Sequence, residues 1–465
     1  MIRSLAAFAI ALLTGAGGQA QNPPEPIRLT IQPAPAPVPA LKYLLLPDAQ
    51  EQTPGNAAML YYRAFSPEWE GWRRQPGLQD RMGEALQTPL DKLPRKDFDW
   101  LLGSKQFREL DLAARREYCD WQLTERIRTE GIGMLLPDVQ SFRIYGTALA
   151  LRSRLYLADR NFDQAARSLQ TGFALGRDVG DAPVLISSLV GVAICTVQAG
   201  QVDQWLQTPG SPNLYWALTD LPRPLVSLRR AARCEKIWLH AEVPELRDIE
   251  TTRLGSTQIQ GLLDHLVRLQ RYESNMSETE LRMALMGLVA KFYPEAKRSL
   301  IAWGRKPEEV EALPMVQVYV LHTLHQYQAF QDDLYKWLSL PFPEGLPGIQ
   351  ETDKKIVEAR KNLQAPPFLL LLPAIHKVYA ATTRLDRRIA AQRCIEAIRL
   401  YAAIHDGKLP ASLTDISEVP VPEDPMRGKR FEYKQAGDKA TLHGPDPFNG
   451  ATPSNALTYE LTLQK

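Results

Sequence analysis

Between Pro54 and Pro367 the apolar residues recur at helical spacing, and no stretch alternates as a half-buried strand would. That periodicity commits most of the chain to amphipathic helix and leaves helix-on-helix packing as the way to bury it. Asn56 is placed to cap a first helix through Ala58, Met59, Leu60, Tyr62 and Phe65, its side-chain oxygen accepting a free backbone N–H. Further helices are expected over 91–102, 107–123, 225–242, 258–272, 277–303 and 316–338. The stretch over 277–303 opens on the capping box Ser277-Glu278-Thr279-Glu280. Pro and Gly clustered over 341–348 read as a long turn. Residues 184–197 are almost entirely apolar, which marks a central buried helix. Ser187, Ser188, Thr196 and Gln198 interrupt that stretch and argue against a bilayer crossing.

The clearest supersecondary unit is a helical hairpin over 142–179. Tyr145, Ala148, Leu149, Leu151, Leu155 and Tyr156 lie on its first helix. Asp159-Arg160-Asn161 turns the chain, and Ala165, Ala166, Leu169, Phe173 and Leu175 follow on the second. Small residues stand where two helices must approach closely. The spacing Ala148, Tyr156, Phe162, Ala166 resembles one tetratricopeptide repeat, without the Trp-x-x-Leu-Gly opening or the closing proline of that family.

The N-terminus bears on compartment. Arg3 precedes an uncharged apolar run over 5–14, and Gly18-Gln19-Ala20 has the small-x-small form that signal peptidase reads. Cleavage after Ala20 is expected, with Gln21 as the new N-terminus and export to the periplasm, the cell envelope or the medium. The run is too short for the roughly 20 residues that span a bilayer, so no transmembrane segment is expected after cleavage. Residues 21–53 carry Pro33, Pro35, Pro37 and Pro39 in alternation and read as an extended linker, with 41–46 as a short piece against the body.

Charge and motifs exclude several function classes. The chain has 55 Lys and Arg against 53 Asp and Glu, a formal charge of +2, with both signs interleaved. That balance argues against nucleic acid as a partner. Cys119, Cys195, Cys234 and Cys394 are too dispersed for a zinc site or a stapled scaffold, and buried free thiols are the favoured reading over disulfides. His322 and His325 share a helix face, yet no third ligand is in register and no H-E-x-x-H motif is present. His240 and Glu242 point to different sides of a helix, and His265, His376, His405 and His443 stand alone. No G-x-S-x-G elbow, phosphate loop or calcium loop occurs. Asp97, Asp99, Glu109, Asp111 and Glu117 mix with Lys96, Arg108, Arg115 and Arg116 and read as a solvated helix face. Trp69, Trp72, Trp100, Trp121, Trp205, Trp216 and Trp238 read as core or rim. No catalytic, cofactor-binding or metal-ligating residue is assigned.

The C-terminal stretch is the most specific. A helix over 385–405 carries the narrow polar stripe Arg388, Gln392, Glu396, Arg399 and is otherwise apolar, through Ile389, Cys394, Ala397, Ile398, Leu400, Tyr401 and Ile404. Gly407 ends it. A proline-rich link with Asp424-Pro425 leads to a strand at Arg430-Phe431-Glu432-Tyr433, a turn at Gly437-Asp438, and a partner strand over 440–443. Phe431 and Tyr433 are expected against the helix. Ala397, Tyr401, Gly407, Leu409, Pro410, Asp424, Pro425, Gly428, Tyr433, Gly444 and Asp446 resemble the globular part of type II secretion major pseudopilins over about 385–450. The resemblance implies a long helix closed by a small antiparallel sheet. The chain departs from that family in having several hundred helical residues before the module and no second acidic calcium ligand after Asp446. As a whole it also resembles uncharacterised exported bacterial proteins of the same layout.

The reading is therefore a mostly α fold: an α-solenoid-like body of helical hairpins with a small C-terminal α+β module. Its divisions are a signal peptide (1–20), a Pro-rich linker (21–53), a helical body (54–365) and the long helix with its β module (366–465). The expected function is a non-catalytic interaction scaffold of the cell envelope with a protein partner. The alternative is an exported hydrolase whose site lies in the helical body, marked by a cleft with a perturbed carboxylate or histidine.

Overall fold

The computed structural model describes residues 25–130, 137–271, 274–361, 368, 372, 375–448 and 455–464. The expected signal segment and its cleavage point lie outside them. The protein is mostly helical with a small sheet toward the C-terminus. In chain order, strand β1 (Ile27–Ile31) and strand β2 (Thr53–Asn56) precede helices α1 (Ala57–Arg63), α2 (Pro67–Arg73), α3 (Leu78–Gln87), α4 (Arg95–Phe98) and α5 (Lys105–Ala113). Strand β3 (Arg116–Tyr118) and helix α6 (Leu123–Glu130) follow, then α7 (Pro137–Ala158), α8 (Phe162–Gly180), α9 (Leu185–Gln207) and α10 (Tyr215–Asp220). Next come α11 (Arg229–Glu242), α12 (Ser256–Arg271), α13 (Glu278–Ala302), α14 (Pro307–Ala312), α15 (Met315–Lys336), α16 (Phe342–Lys361) and α17 (Ile375–Ile404). The chain closes with β4 (Glu423–Asp424), β5 (Lys429–Arg430), β6 (Glu432–Ala436), β7 (Lys439–Gly444) and β8 (Leu457–Leu463).

Two compact units result, and they cut across the sequence divisions. Of the described residues, one holds those within 122–130 and 229–378; the other holds those within 25–121, 137–228 and 379–464. The first has helices and no strand among its described residues. Its helices bury stripes at three- and four-residue spacing, such as Leu281, Leu285, Val289 and Phe292 on α13. Ser277 and Glu280 form the expected capping box on that helix.

The second unit contains the four-stranded sheet, in order β1-β8-β7-β6. β7 is antiparallel to both neighbours, and β1 runs parallel to β8 with Ile27 opposite Tyr459 and Ile31 opposite Leu463. Leu29 and Ile31 point into the core beside Tyr459, Leu461 and Leu463, while Arg28 faces outward and pairs with Glu460 at 2.9 Å. Inside-outside alternation of this kind follows from the strand's two-residue period. α17 covers the sheet with Cys394, Ile395 and Ile398. Phe431 is buried in that cluster and Tyr433 packs on it.

α7, α8 and α9 pack mutually. Asn161 caps α8 by accepting from the Gln164 N–H at 3.2 Å. On its α9-facing side α8 repeats glycine at Gly172, Gly176 and Gly180. A Cβ on Gly191 of α9 would come within 2.4 Å of the Gly176 carbonyl oxygen, so the two backbones touch. α9 is long and apolar enough to cross a membrane by composition alone, yet 72% of its apolar window is buried inside the protein.

Five expectations are corrected. Residues 21–53 are no spacer: they supply β1, the buried Ala34 and Leu45, and Tyr43 packed edge-on against Trp205. The sheet edge is formed by Ile27–Ile31, just before the alternating prolines, which continue as extended chain outside any strand. The region read as strandless contains β2 and β3, paired between Thr53 and Arg116 and between Asn56 and Tyr118. The helix expected over 107–123 accordingly stops at Ala113. The turn expected over 341–348 is the start of α16. Pro343 lies in its first turn, where a missing N–H costs nothing, and Gly348 lets the helix lie directly on the Trp337 ring. The charged residues read as a solvated face include Asp111, which accepts two hydrogen bonds from Arg152 and one from Thr171, and Arg115, which is 7% exposed.

Candidate functional site: an aromatic cleft

The polar stripe of α17, whose environment the sequence left open, faces protein. Gln392 and Glu396 are fully buried and Arg399 is 1% exposed. Arg399 donates to Glu396 at 2.9 Å, to the Ser211 carbonyl and hydroxyl at 2.9 Å each, and to the Gln32 carbonyl at 2.9 Å. Glu396 also accepts from the Leu214 N–H at 2.7 Å. Asp203 on α9 accepts from Arg388 at 2.5 Å, Gln392 at 2.7 Å and the Tyr459 hydroxyl at 3.0 Å. Burial works against the Arg388 charge, but the Asp203 carboxylate outweighs it and the guanidinium ends above its ordinary pKa. Burial likewise pushes Glu396 up. Arg387 donates to Asp424 at 2.6 Å and to the Pro445 carbonyl at 2.7 Å, and Asp424 accepts from the Met426 N–H at 2.9 Å. Buried charges of this kind persist only when paired and hydrogen-bonded. Most of their polar capacity is spent on holding α9, α17, β1 and β8 together, with Arg387 Nε, Arg388 Nε and Gln392 Oε1 left without a partner among the described residues.

Unpartnered polar atoms that face open space lie in the same unit, at a cleft of about 820 Å³ bordered by α1, α2, α5 and the turn at Trp100. Ser66 caps α2, accepting from the Trp69 N–H at 3.2 Å, with Pro67 at the first helical position and Glu68 and Glu70 in the first turn. This fixes Trp69 and Trp72 three residues apart on one face, their rings 4.9 Å apart. Trp69 is 1% exposed and stacks on Tyr145 of α7 at 3.6 Å. Trp100 meets Trp72 edge-on at 4.8 Å. Gln106 donates to the Ser66 hydroxyl at 2.7 Å, and Arg63 donates to one oxygen of Glu109 at 3.1 Å. Trp69 Nε1, Ser104 Oγ and Glu109 Oε2 are buried and have no partner among the described residues. Arg63 and Lys105 balance Glu68 and Glu109 around the cleft. The sequence reading placed these tryptophans as core or rim. Trp69 and Trp205 are core, whereas Trp72 and Trp100 are half-buried and line the cleft. The spacing Trp69-x-x-Trp72 was the one available signal, and nothing local ties it to Trp100.

Of the histidines and cysteines, His322 and His325 share the Trp303 ring, and no third ligand joins them among the described residues. His322 is 6% exposed and stacks on Trp303, and burial lowers its pKa. His325 turns to Glu250 at 2.5 Å, His265 to Glu245 at 2.9 Å, His405 to Glu418 at 2.8 Å and His443 to Thr458 at 2.8 Å. Burial, then Arg247, lowers the pKa of the half-buried His240. No group of three metal-binding side chains occurs among the described residues. All four cysteines are free, Cys195 and Cys394 fully buried, and burial pushes every one of the four thiols up, away from the thiolate a nucleophile needs. Burial pushes the pKa of Asp386 on α17 up to about 7 and raises that of Asp178 as well. The recorded hydrogen bond of Asp386 comes from the Leu225 N–H at 3.1 Å.

Architecture and site together define a mostly helical protein with an aromatic cleft. Compared with protein-family models, curated proteins and solved structures, the chain matches none.

Proposed function

We propose that the protein is a non-catalytic, exported interaction scaffold whose aromatic cleft receives an extended polypeptide segment of a partner protein. The observation that carries this reading is the convergence of three buried, unpartnered polar atoms on a tryptophan-lined cleft. An unsatisfied buried polar atom costs about 1–3 kcal/mol, so water or a ligand is required there. An extended polypeptide offers both kinds of partner, since its carbonyls accept from an indole N–H and its N–H groups donate to a carboxylate. Flat aromatic walls suit proline and aliphatic side chains between those contacts. The balance of Arg63 and Lys105 against Glu68 and Glu109 favours a neutral segment over a strongly charged one. Export to the envelope rests on the Arg3 to Ala20 pattern. The pseudopilin-like reading of the C-terminal module draws support from Gly407, at φ +68° after α17, and from the Asp424 side chain that accepts from the Met426 N–H.

The test selects random displayed peptides on the mature chain and compares the winners on Trp72→Ala and Trp100→Ala. A proline- or aliphatic-rich consensus is expected, with binding weakened about tenfold by either change, roughly 1.4 kcal/mol. The reading fails if no consensus emerges or if the double variant binds equally well. Cleavage of the selected peptide by the wild-type chain would move the assignment to the hydrolase alternative.

A further inference from the structure

We infer that a second site in the sheet-containing unit, between α10, α17 and the 420–425 link, binds a small organic carboxylate with a short apolar tail. The pocket measures about 430 Å³, and its walls are Leu218, Leu221, Pro222, Ile389, Ala390 and Val421. That volume lies at the small end of the range for small-molecule sites, about 300–1,000 Å³.

Two guanidinium groups line it. Arg393 is 7% exposed. Its Nε donates to the Thr219 hydroxyl at 3.0 Å, and its guanidinium lies 5.5 Å over the Tyr215 ring. These contacts fix the plane of the group and leave Nη1 and Nη2 without an acceptor among the described residues. Arg223 is exposed at the mouth, where one Nη donates to the Thr219 carbonyl at 2.8 Å. Neither arginine has an ion-pair partner among the described residues. Burial, then the charge of Arg393, lowers the pKa of Arg223, so the two cations sense each other.

The acids nearby offset the pair only in part: the charge of Asp386 acts on Arg223, but no ion pair joins them. Asp386 lines the pocket but is engaged by the Leu225 N–H, and burial brings its pKa to about 7. It is therefore about half protonated at neutral pH. Glu423 is exposed at the rim. A buried cation without a counter-ion is costly unless something supplies one. A ligand carboxylate set between Arg393 and Arg223 does so through charge-assisted hydrogen bonds. The apolar walls select against a small hydrated oxyanion, which has nothing to place on them, and so point to an acid with a hydrocarbon tail. This inference is independent of the aromatic cleft.

The test is calorimetric titration of the full mature chain with hexanoate, with hexylammonium and inorganic phosphate as comparison probes. Saturable one-to-one binding of hexanoate is expected, with phosphate and hexylammonium at least about tenfold weaker. Arg223→Gln changes an exposed residue, and Arg393→Lys retains the charge while losing the planar fork. Each should weaken hexanoate by about tenfold with an unchanged circular-dichroism spectrum, and Ala390→Leu, which fills the pocket, should do the same. The inference is overturned if hexanoate does not bind the wild-type chain, if phosphate binds as tightly, or if binding survives both arginine changes. Should one variant fail to fold, the other two and the probe comparison still decide it.

Discussion

Replacing Asp203 with alanine tests whether the buried polar stripe of α17 holds its unit together. Asp203 is 3% exposed and receives hydrogen bonds from Arg388, Gln392 and Tyr459. Removing one partner of a buried ion pair costs about 3–5 kcal/mol, chiefly because the other charge is left uncompensated. The Arg388 side chain is 23% exposed, which places its share at the low end. The Tyr459 hydroxyl is fully buried and loses its acceptor, adding about 1–3 kcal/mol. Gln392 keeps the Ala199 carbonyl at 2.7 Å and adds little. The expected loss is about 4 kcal/mol, a large share of the 5–15 kcal/mol that stabilises a typical domain. Equilibrium urea unfolding should show it as a lowered midpoint, followed by far-ultraviolet circular dichroism. A double-mutant cycle separates the pair from its surroundings. Asp203→Leu with Arg388→Met should recover at least about 2 kcal/mol relative to Asp203→Leu alone, because no charge remains unpaired. A loss below about 1 kcal/mol for Asp203→Ala, or no recovery in the double variant, would refute the reasoning.

Two further outcomes follow from the same structure. The pKa of Asp386 is about 7 in the folded chain and about 3.9 for an ordinary aspartate, so the folded state keeps a proton that the unfolded chain has released. Stability should therefore fall as pH rises from about 4 to 7 and level off above that, by at most about 4 kcal/mol before solvent screening. Arg223 opposes the shift. Asp386→Asn should melt higher than wild type at pH 8 and the same near pH 4, and parallel melting curves across that window would show the reasoning to be wrong. Glycine substitutions should split by sign. Gly191→Ala places a Cβ 2.4 Å from the Gly176 carbonyl oxygen and should cost about 1–3 kcal/mol. Gly287→Ala, on an open face of α13 with no atom within 4 Å, should stabilise by about 0.5–1 kcal/mol, with both read from denaturation midpoints.

The sequence by itself determined several of the helices, because their signals are local. Apolar spacing on α13, the Ser277 capping box, the Asn56 cap and Gly407 after α17 each act within a few residues, and each is found in place. The hairpin of β6 and β7 was legible for the same reason: its turn at Gly437 needs the left-handed φ of +63° that glycine adopts freely. Tertiary structure alone decided everything carried by residues far apart in sequence. The parallel pairing of β1 with β8 joins Arg28 to a partner 432 residues away, and the proline alternation after it announces no sheet. The stripe of α17 reads as polar whether it faces water or Asp203, since only the neighbour on α9 sets its cost. Trp100 joins Trp69 and Trp72, and Arg223 joins Arg393, through packing that no periodicity records. Local backbone preference and hydrophobic period are written in adjacent residues, whereas a site is a coincidence of distant ones that the closed core brings about.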